Sequence, residues 1–337
     1  GKKMAAVIGA GSDEVIINDA TCINLYKVAA AAWQHQAPRR KIITDNLNFP
    51  SDIYIFQGLA GPENVVVVNS EDGLMGPVAG LQAALDEETA VISLSHTVFK
   101  SGYTYDMAAI NKMAHDVGAL VIWDMSHSVG SVPTFLNESN ADLAVGCTYK
   151  YMNGGPGAPA FVYCRRDLQP LLHNPITGWF GHANRYDFAL DYSPAAGMRK
   201  FITGTPTILS IAAIEPGVDL TLAAGMDRIR TKSVALSEFF IELWEAWLAP
   251  LGFSLNSPRA ARWRGAHVSI GHDKAKVIDR ALVEELKVIP DFRPPSNIRF
   301  GLAPLYTTFN DCLEAVVRTK RVMDEQLYAK YEDGVED

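Results

Sequence analysis

Two residues near the middle of the sequence carry side chains that work together in one kind of carbon chemistry. Asp124 follows the apolar run 119–123, and Lys150 follows a second predicted strand, 141–147. Taken alone, each would more often be a solvated surface residue. Their place after successive strands favours a shared site, because open α/β sheets bind ligands at the carboxyl ends of their strands. A carboxylate can keep a pyridine nitrogen protonated and a lysine amine can form a Schiff base, so the pair predicts a pyridoxal phosphate site.

Short β-branched runs alternate with helical patterns through the first half of the chain. The predicted strands are 15–17, 41–44, 65–68, 90–93, 120–122, 141–147 and 160–163, and the helical candidates between them are 22–33, 78–85 and 105–117. The apolar runs lack polar alternation, which is typical of a sheet covered on both faces. Repeated strand, helix and strand units indicate parallel crossovers, so we expect an α/β fold with a mainly parallel seven-stranded sheet flanked by helices.

The pattern changes in the second half of the chain. A loop-rich stretch with several aromatic residues, 174–197, leads to a long predicted helical region, from 208 to about 248. The later elements are predicted strands at 266–270 and 298–300 and predicted helices at 274–286 and 311–330. They indicate a small α+β domain. We therefore divide the chain into a large cofactor-binding domain, 1–225, and a small C-terminal domain, 226–337.

A glycine pair near the N-terminus superficially resembles a dinucleotide-binding fingerprint. Gly9 and Gly11 precede a predicted strand instead of following one, and Glu14 stands where the third glycine belongs. The fingerprint needs a preceding strand, a following helix and that third glycine. A plain glycine turn is the better interpretation.

Charge and apolar patterning exclude several classes of protein. A net charge of −8 argues against nucleic-acid binding, which needs clustered lysine and arginine, and only 228–232 comes close. The longest apolar runs, such as 65–68 and 119–123, are far shorter than the roughly 20 residues of a membrane-spanning helix. The four cysteines show no CxxC or metal-ligand spacing. We therefore expect a reduced, cytoplasmic protein without a metal site or a membrane span.

Five stretches of the sequence resemble kynureninases of the bacterial type. They are 124–130, 148–159 (TYKYMNGGPGAP), 178–182 (GWFGH), 201–209 (FITGTPTIL) and 297–305 (NIRFGLAPL). The resemblance extends from about residue 10 to about residue 325, and 178–182 is its most specific part, because the wider superfamily shares only the Asp and Lys pattern. Kynureninases are fold type I pyridoxal-phosphate enzymes related to class V aminotransferases. The resemblance thus implies that fold and pyridoxal 5'-phosphate as the cofactor.

The resemblance also assigns roles to single residues. Lys150, Tyr149 and Asp124 match catalytic residues, and Arg299 matches the arginine that binds the substrate carboxylate. The implied cofactor contacts are Thr21, Cys22, Phe49, Asp52, Ser95, Asp124, His127, Tyr149, Lys150, Trp179 and Thr205. In the family, the contacts matched by Trp179 and Thr205 come partly from a second subunit. The resemblance therefore implies a homodimer with shared active sites.

The implied reaction is the hydrolysis of the Cβ–Cγ bond of L-kynurenine, giving anthranilate and L-alanine. This reaction belongs to tryptophan catabolism and to the kynurenine pathway that leads to NAD biosynthesis. Lys150 would remove the α-proton, and Tyr149 would deliver a proton to the β-carbon. The sequence leaves open the preference between kynurenine and its 3-hydroxy derivative.

Three features depart from the family pattern. Cys22 stands where relatives generally have a hydroxyl residue, so we expect one weaker phosphate contact, for which Thr21 compensates. Val98 stands where many relatives have a polar residue near the substrate ring. Relatives also carry a segment before the position of Gly1 that includes substrate contacts.

Other functions on the same fold stay open from the residues alone. A cysteine desulfurase or selenocysteine lyase needs a nucleophilic cysteine on a mobile loop. The four cysteines are expected elsewhere: Cys147 and Cys164 at strand ends, and Cys22 and Cys312 at helix starts. A class V aminotransferase would produce a keto acid instead of anthranilate. The alternative that is not an enzyme is an inactive scaffold protein that binds the cofactor.

Overall fold

A seven-stranded sheet is built from the first half of the chain in the computed structural model, which describes residues 1–334. Its strands are β1 (Val15–Ile17), β2 (Lys41–Asp45), β3 (Val65–Val68), β4 (Thr89–Ser95), β5 (Leu120–Asp124), β6 (Leu143–Gly146) and β7 (Phe161–Cys164). The strand order is β1-β7-β6-β5-β4-β2-β3. Strands β2 to β6 pair in parallel, and β7 pairs antiparallel with both β6 and β1. Only β7 therefore runs against the others.

The direction of β7 follows from its connection. Parallel neighbours need a crossover, usually a helix, between them. The link between β6 and β7, residues 147–160, contains no helix, so the chain turns back beside β6. Every residue of β4, β5 and β6 is buried, which explains why these strands have no polar alternation. The predicted mainly parallel α/β sheet is confirmed.

Five helices accompany this sheet: α1 (Lys2–Val7), α2 (Thr21–His35), α3 (Pro50–Ala60), α4 (Val78–Ala84) and α5 (Met107–His115). The predicted helices at 22–33, 78–85 and 105–117 are confirmed within a few residues. Helix α5 begins later than predicted because the Asp106 side chain caps it, accepting a bond from the Ala109 amide at 3.0 Å. Helix α3 was not among the predicted helices. Its buried residues are just Asp52 and Phe56, which leaves little apolar periodicity to detect.

The Gly9 to Gly11 segment lies between α1 and β1, and no helix follows it directly. Gly9 has φ +63°, a conformation that favours glycine. The prediction of a plain glycine turn is confirmed.

The helical region predicted for 208–248 is confirmed, although it is not one continuous helix. The structure has α6 (Ile208–Ala224) and α7 (Met226–Leu243), followed by one π-helical turn, Trp244–Leu248. Gly225 separates the helices with φ +79°, and the two axes bend by 86°. Within residues 1–334 no single helix is long and apolar enough to cross a membrane. Only α6 and α7 taken together would be long and apolar enough, and they are sharply bent.

A four-stranded antiparallel sheet occupies the C-terminal part, with strands β8 (Ser254–Leu255), β9 (His267–Gly271), β10 (Asp291–Arg293) and β11 (Asn297–Gly301) in the order β10-β11-β9-β8. Helices α8 (Ala275–Leu286) and α9 (Phe309–Asp324) pack with α7 and this sheet around a separate apolar cluster. The predicted strands and helices of this region are confirmed, although α9 ends at Asp324 and a 3₁₀ segment follows. Strands β8 and β10 were not predicted because a strand of two or three residues is too short to show an alternation of apolar and polar side chains. The domain division after residue 225 stays a prediction.

Candidate active site

The carboxyl ends of β4, β5 and β6 bring the predicted site residues together. Asp124 ends β5 and is the register partner of Ser95, which ends β4. Lys150 follows β6, the neighbour of β5 on its other side. The sheet therefore places the carboxylate and the amine at one edge, as the ligand-binding rule for open sheets requires.

A cavity of about 470 Å³ opens at this edge. The predicted cofactor contacts that line it are Thr21, Cys22, Phe49, Asp52, Asp124, His127, Tyr149 and Lys150. The sequence reasoning missed Ser126 and Thr207, which line it as well. Ser126 lies two residues after Asp124, and Thr207 lies two residues after Thr205. A hydroxyl residue close to each predicted contact was the sequence feature that could have indicated them.

Two buried carboxyl groups face the cavity. The Asp124 side chain accepts a hydrogen bond from the Ser126 amide at 2.8 Å, and burial raises the pKa of Asp124 against the opposing effects of Ser126 and of the Lys150 charge. Burial and the Asp124 charge raise the pKa of Asp52 well above its usual range. Its Oδ2 atom is buried without a hydrogen-bond partner among the described residues. Each carboxylate would be stabilised by a cationic or proton-donating group in the cavity.

Lys150 and Tyr149 follow β6 in a turn that hydrogen bonds hold in place. The Thr148 hydroxyl donates to the Pro159 carbonyl at 2.6 Å, and the Gly154 amide donates to the Thr148 carbonyl at 2.8 Å. The Tyr149 ring is half exposed, and burial followed by the neighbouring Cys147 raises the pKa of Tyr149 to about 12. The phenol thus keeps its proton at neutral pH.

The N-terminus of α2 borders the same cavity. Thr21 and Cys22 form the first turn, and the N-cap residue Ala20 offers no side-chain cap. Uncapped helix N-termini are ready sites for phosphate. The preceding Asp19, at φ +46°, pairs with Lys27, a fully buried lysine whose ammonium also donates to the Phe201 carbonyl at 2.9 Å. This ion pair holds the turn before the helix.

Arg299 reaches the site from the small sheet. It lines a second cavity of about 260 Å³ that shares His127, Tyr149 and Lys150 with the first. Its Nη1 donates to the Phe99 carbonyl at 2.6 Å and to His127 Nε2 at 3.2 Å. Burial, followed by the charges of Lys150 and Arg299, lowers the pKa of His127 well below its usual range, so the imidazole is neutral and can accept this bond.

Three predicted cofactor contacts lie outside the first cavity. Ser95 is buried and donates to Asn48 Oδ1 at 2.5 Å, and the same oxygen accepts the Phe49 amide. Ser95 therefore positions the turn that carries Phe49. Trp179 and Thr205 are exposed on the loop-rich segment before α6. Val98, expected near the substrate ring, is fully buried in the apolar cluster of the large sheet.

The residues around the first cavity fit a planar, anionic cofactor that attaches to an amine. Lys150 supplies the amine, the buried Asp124 a partner for a protonated ring nitrogen, and the uncapped end of α2 a phosphate site. The unpartnered Asp52 oxygen marks a further polar contact that the protein alone leaves unsatisfied. None of the described residues forms a cluster of histidine, cysteine and acidic side chains suited to a metal ion.

Comparisons with known proteins agree with this chemistry. The family model "Kynureninase C-terminal domain" matches residues 229–318. A kynureninase from Pseudomonas fluorescens is 41% identical over 98% of this chain and 79% of its own length. A kynureninase from Burkholderia mallei (strain SAVP1) is 40% identical over 97% of this chain and 79% of its own length.

Solved structures share the fold of this chain. A cysteine desulfurase from Thermococcus onnurineus NA1, solved in its apo form, superposes with a TM-score of 0.78, at 19% identity, over 96% of this chain and 82% of that one. A C-DES mutant with glycine linked covalently to its PLP cofactor gives a TM-score of 0.80, at 18% identity, over 94% of this chain and 83% of that one. At such identities these neighbours establish the fold only. The two kynureninase relatives, at 40% identity or more over nearly the whole chain, establish that this chain belongs to the kynureninase family of pyridoxal-phosphate enzymes.

Proposed function

We propose that this chain hydrolyses the Cβ–Cγ bond of L-kynurenine to give anthranilate and L-alanine. The observation that carries the proposal is the arrangement of Lys150, Asp124 and Arg299 around two adjacent cavities. One cavity has the groups that suit the cofactor, and the other has a guanidinium that suits an amino-acid carboxylate. The residues between them, Tyr149 and Lys150, can reach both.

The residues of the first cavity would hold the cofactor. Lys150 would attach it covalently, Asp124 would keep its ring nitrogen protonated, and Thr21, Cys22 and the amides of α2 would bind its phosphate. Bound pyridoxal phosphate supplies an electron sink for bond breaking at the α- and β-carbons of an amino acid. Asp124 is suited to its part because a buried carboxylate gains most from a cationic neighbour.

The residues between the cavities would handle the substrate. Arg299 binds the α-carboxylate, since its planar fork matches a carboxylate better than an ammonium does. Lys150, once its amine is free, moves a proton at the α-carbon. Water adds at the γ-carbonyl carbon and supplies the second oxygen of the anthranilate carboxylate. Tyr149, which keeps its proton at neutral pH, donates to the β-carbon as the Cβ–Cγ bond breaks.

We also propose a homodimer that shares its active sites and works in the cytoplasm. Trp179 and Thr205 are exposed outside the cavity of their own chain, which suits a role in a partner's site. Four free cysteines support a reducing compartment.

A carbon–sulfur lyase is the closest competing function. Cys22 is the one exposed cysteine and lines the first cavity, whereas the other three cysteines are buried. It lies in the first turn of α2, where the helix fixes its backbone. A cysteine that must travel to a substrate sulfur needs a mobile loop, so the geometry favours carbon–carbon cleavage.

The test is anthranilate fluorescence from purified protein given pyridoxal phosphate and L-kynurenine, beside Lys150→Ala. We expect the wild type to show cofactor absorbance and anthranilate emission, and the variant to lose both the covalent cofactor and the emission. Cofactor absorbance without anthranilate would reject the substrate; release of sulfide from cysteine would then indicate a lyase, and a keto acid would indicate an aminotransferase. Absence of the cofactor band would reject the site itself.

A further inference from the structure

Arg299 already has a carboxylate partner inside the protein. We propose that Asp291 occupies the binding edge of Arg299 until the substrate carboxylate displaces it, and that Arg293 receives the displaced Asp291. Asp291 would then set the apparent affinity and selectivity for amino-acid substrates. This inference rests on the proposed role of Arg299 in the reaction.

The donors of Arg299 are nearly all in use. Asp291 and Arg299 are register partners on β10 and β11, and Asp291 Oδ2 accepts from Nε at 3.1 Å and from Nη2 at 2.5 Å. Nη1 donates to the Phe99 carbonyl and to His127. A guanidinium has five N–H donors, so one remains free. A substrate carboxylate therefore cannot bind with two parallel bonds unless a present acceptor leaves.

Asp291 is the acceptor that can leave most easily. The Phe99 acceptor is a main-chain carbonyl, and the His127 ring is buried. The Asp291 side chain, in contrast, is 49% exposed and belongs to the edge strand of the small sheet. Water can solvate it as it moves. It also covers the Nε and Nη2 edge, which offers two parallel N–H groups to an incoming carboxylate.

Arg293 is placed to receive the displaced carboxylate. It lies two residues along β10, on the same face as Asp291, and its Nη2 is already 3.4 Å from Asp291 Oδ2. The Nε atom of Arg293 is buried and has no hydrogen-bond partner among the described residues. A small rotation of Asp291 toward Arg293 would satisfy that donor and free the edge of Arg299. After the exchange each guanidinium has one carboxylate partner, the substrate on Arg299 and Asp291 on Arg293.

The exchange has a consequence for selectivity. A ligand without a carboxylate cannot replace Asp291 as the ion-pair partner of Arg299, so the Asp291–Arg299 ion pair stays intact. Removing the Asp291 charge should strengthen the binding of carboxylate ligands and leave the binding of neutral ligands unchanged. If Asp291 were instead a permanent support for Arg299, its removal would weaken binding.

The test compares Asp291→Asn, Arg293→Lys, Arg293→Met and Arg299→Lys with the wild type. Asp116→Asn, which removes a surface pair with Lys112, serves as the matched control and should behave as the wild type. The measurements are kcat and KM with L-kynurenine. In addition, Kd is measured for kynurenine lacking its α-amino group and for the amide of that compound. Neither probe has the α-amine through which the substrate would join the cofactor.

We expect Asp291→Asn to lower KM and the Kd of the carboxylate probe about three- to tenfold, and to leave the Kd of the amide unchanged. Arg293→Met should raise KM a few fold, and Arg293→Lys should restore part of that loss. A rise in KM, a fall confined to kcat, or no change in Asp291→Asn would overturn the exchange. Unchanged KM and carboxylate Kd in Arg299→Lys would instead reject the role of Arg299, so the two proposals fail separately.

Discussion

The Asp124 carboxyl lies buried at the end of β5, where its charge needs a cationic partner. Replacing it by asparagine keeps the shape but removes the group that would keep the cofactor ring nitrogen protonated. We expect Asp124→Asn to lower kcat about 10²- to 10⁴-fold while the covalent cofactor band persists. Steady-state kinetics and the absorbance spectrum of the same sample check this. A variant that retains wild-type kcat would show that Asp124 only fills space.

Sequence reasoning could place Asp124 and Lys150 together because one rule covers both: parallel strands present their carboxyl ends at one edge. It could not place Asp291 or His267 beside them. These residues come from the small sheet, and they line the second cavity only through packing between distant parts of the chain. Spacing along the sequence carries no information about such contacts, so Arg299 itself was reached through family resemblance.

Helix α6 supports the turn that carries Lys150 through one close approach. A Cβ atom on Gly217 would lie 2.0 Å from the Met152 carbonyl oxygen, so backbone would have to move. We expect Gly217→Ala to lower the free energy of unfolding by about 1–3 kcal/mol. The same displacement should weaken cofactor binding, because Met152 lies two residues from Lys150.

Gly58 provides the matched control for that prediction. It lies within α3, and a Cβ there would meet no atom within 4 Å. Gly58→Ala should raise the free energy of unfolding by about 0.4–1 kcal/mol through the unfolded chain. Chemical denaturation of both variants, with a cofactor titration, measures the effects. Equal changes in the free energy of unfolding for the two alanine variants would contradict the close approach at Gly217.

The elements that the sequence predicted well are those with a long, uniform apolar signal. Strands β4 and β5 are buried along their whole length, and α2 buries eight of its residues. The features that the sequence did not predict have physical causes of a different kind. Gly225 breaks the 208–248 segment by a local backbone conformation that a periodicity cannot reveal. Strand β10 is three residues long and is defined by pairing with β11.

Helix α6 leaves an apolar stripe exposed on the surface of the molecule. Its members recur at helical spacing and are Leu209, Ala212, Ala213, Pro216, Leu220 and Ala223. Leu209 is 88% exposed and Leu220 61%. Large exposed apolar patches mark interaction sites on proteins. Thr205 lies four residues before Leu209, and the Phe180 amide, beside Trp179, donates to the Thr203 carbonyl, so one interface would cover both.

The stripe gives a direct test of the proposed homodimer. We expect the wild type to be a dimer by light scattering, and Leu209→Asp combined with Leu220→Asp to shift it toward the monomer, because two buried charges without partners oppose association. If Trp179 and Thr205 serve the partner's site, this variant should also bind pyridoxal phosphate more weakly at low protein concentration. Ile289→Asp, at a side chain 82% exposed between α8 and β10, is the control and should remain dimeric. A stable dimer in the double variant would move the interface elsewhere, and a dissociated variant with unchanged cofactor affinity would confine each active site to one chain.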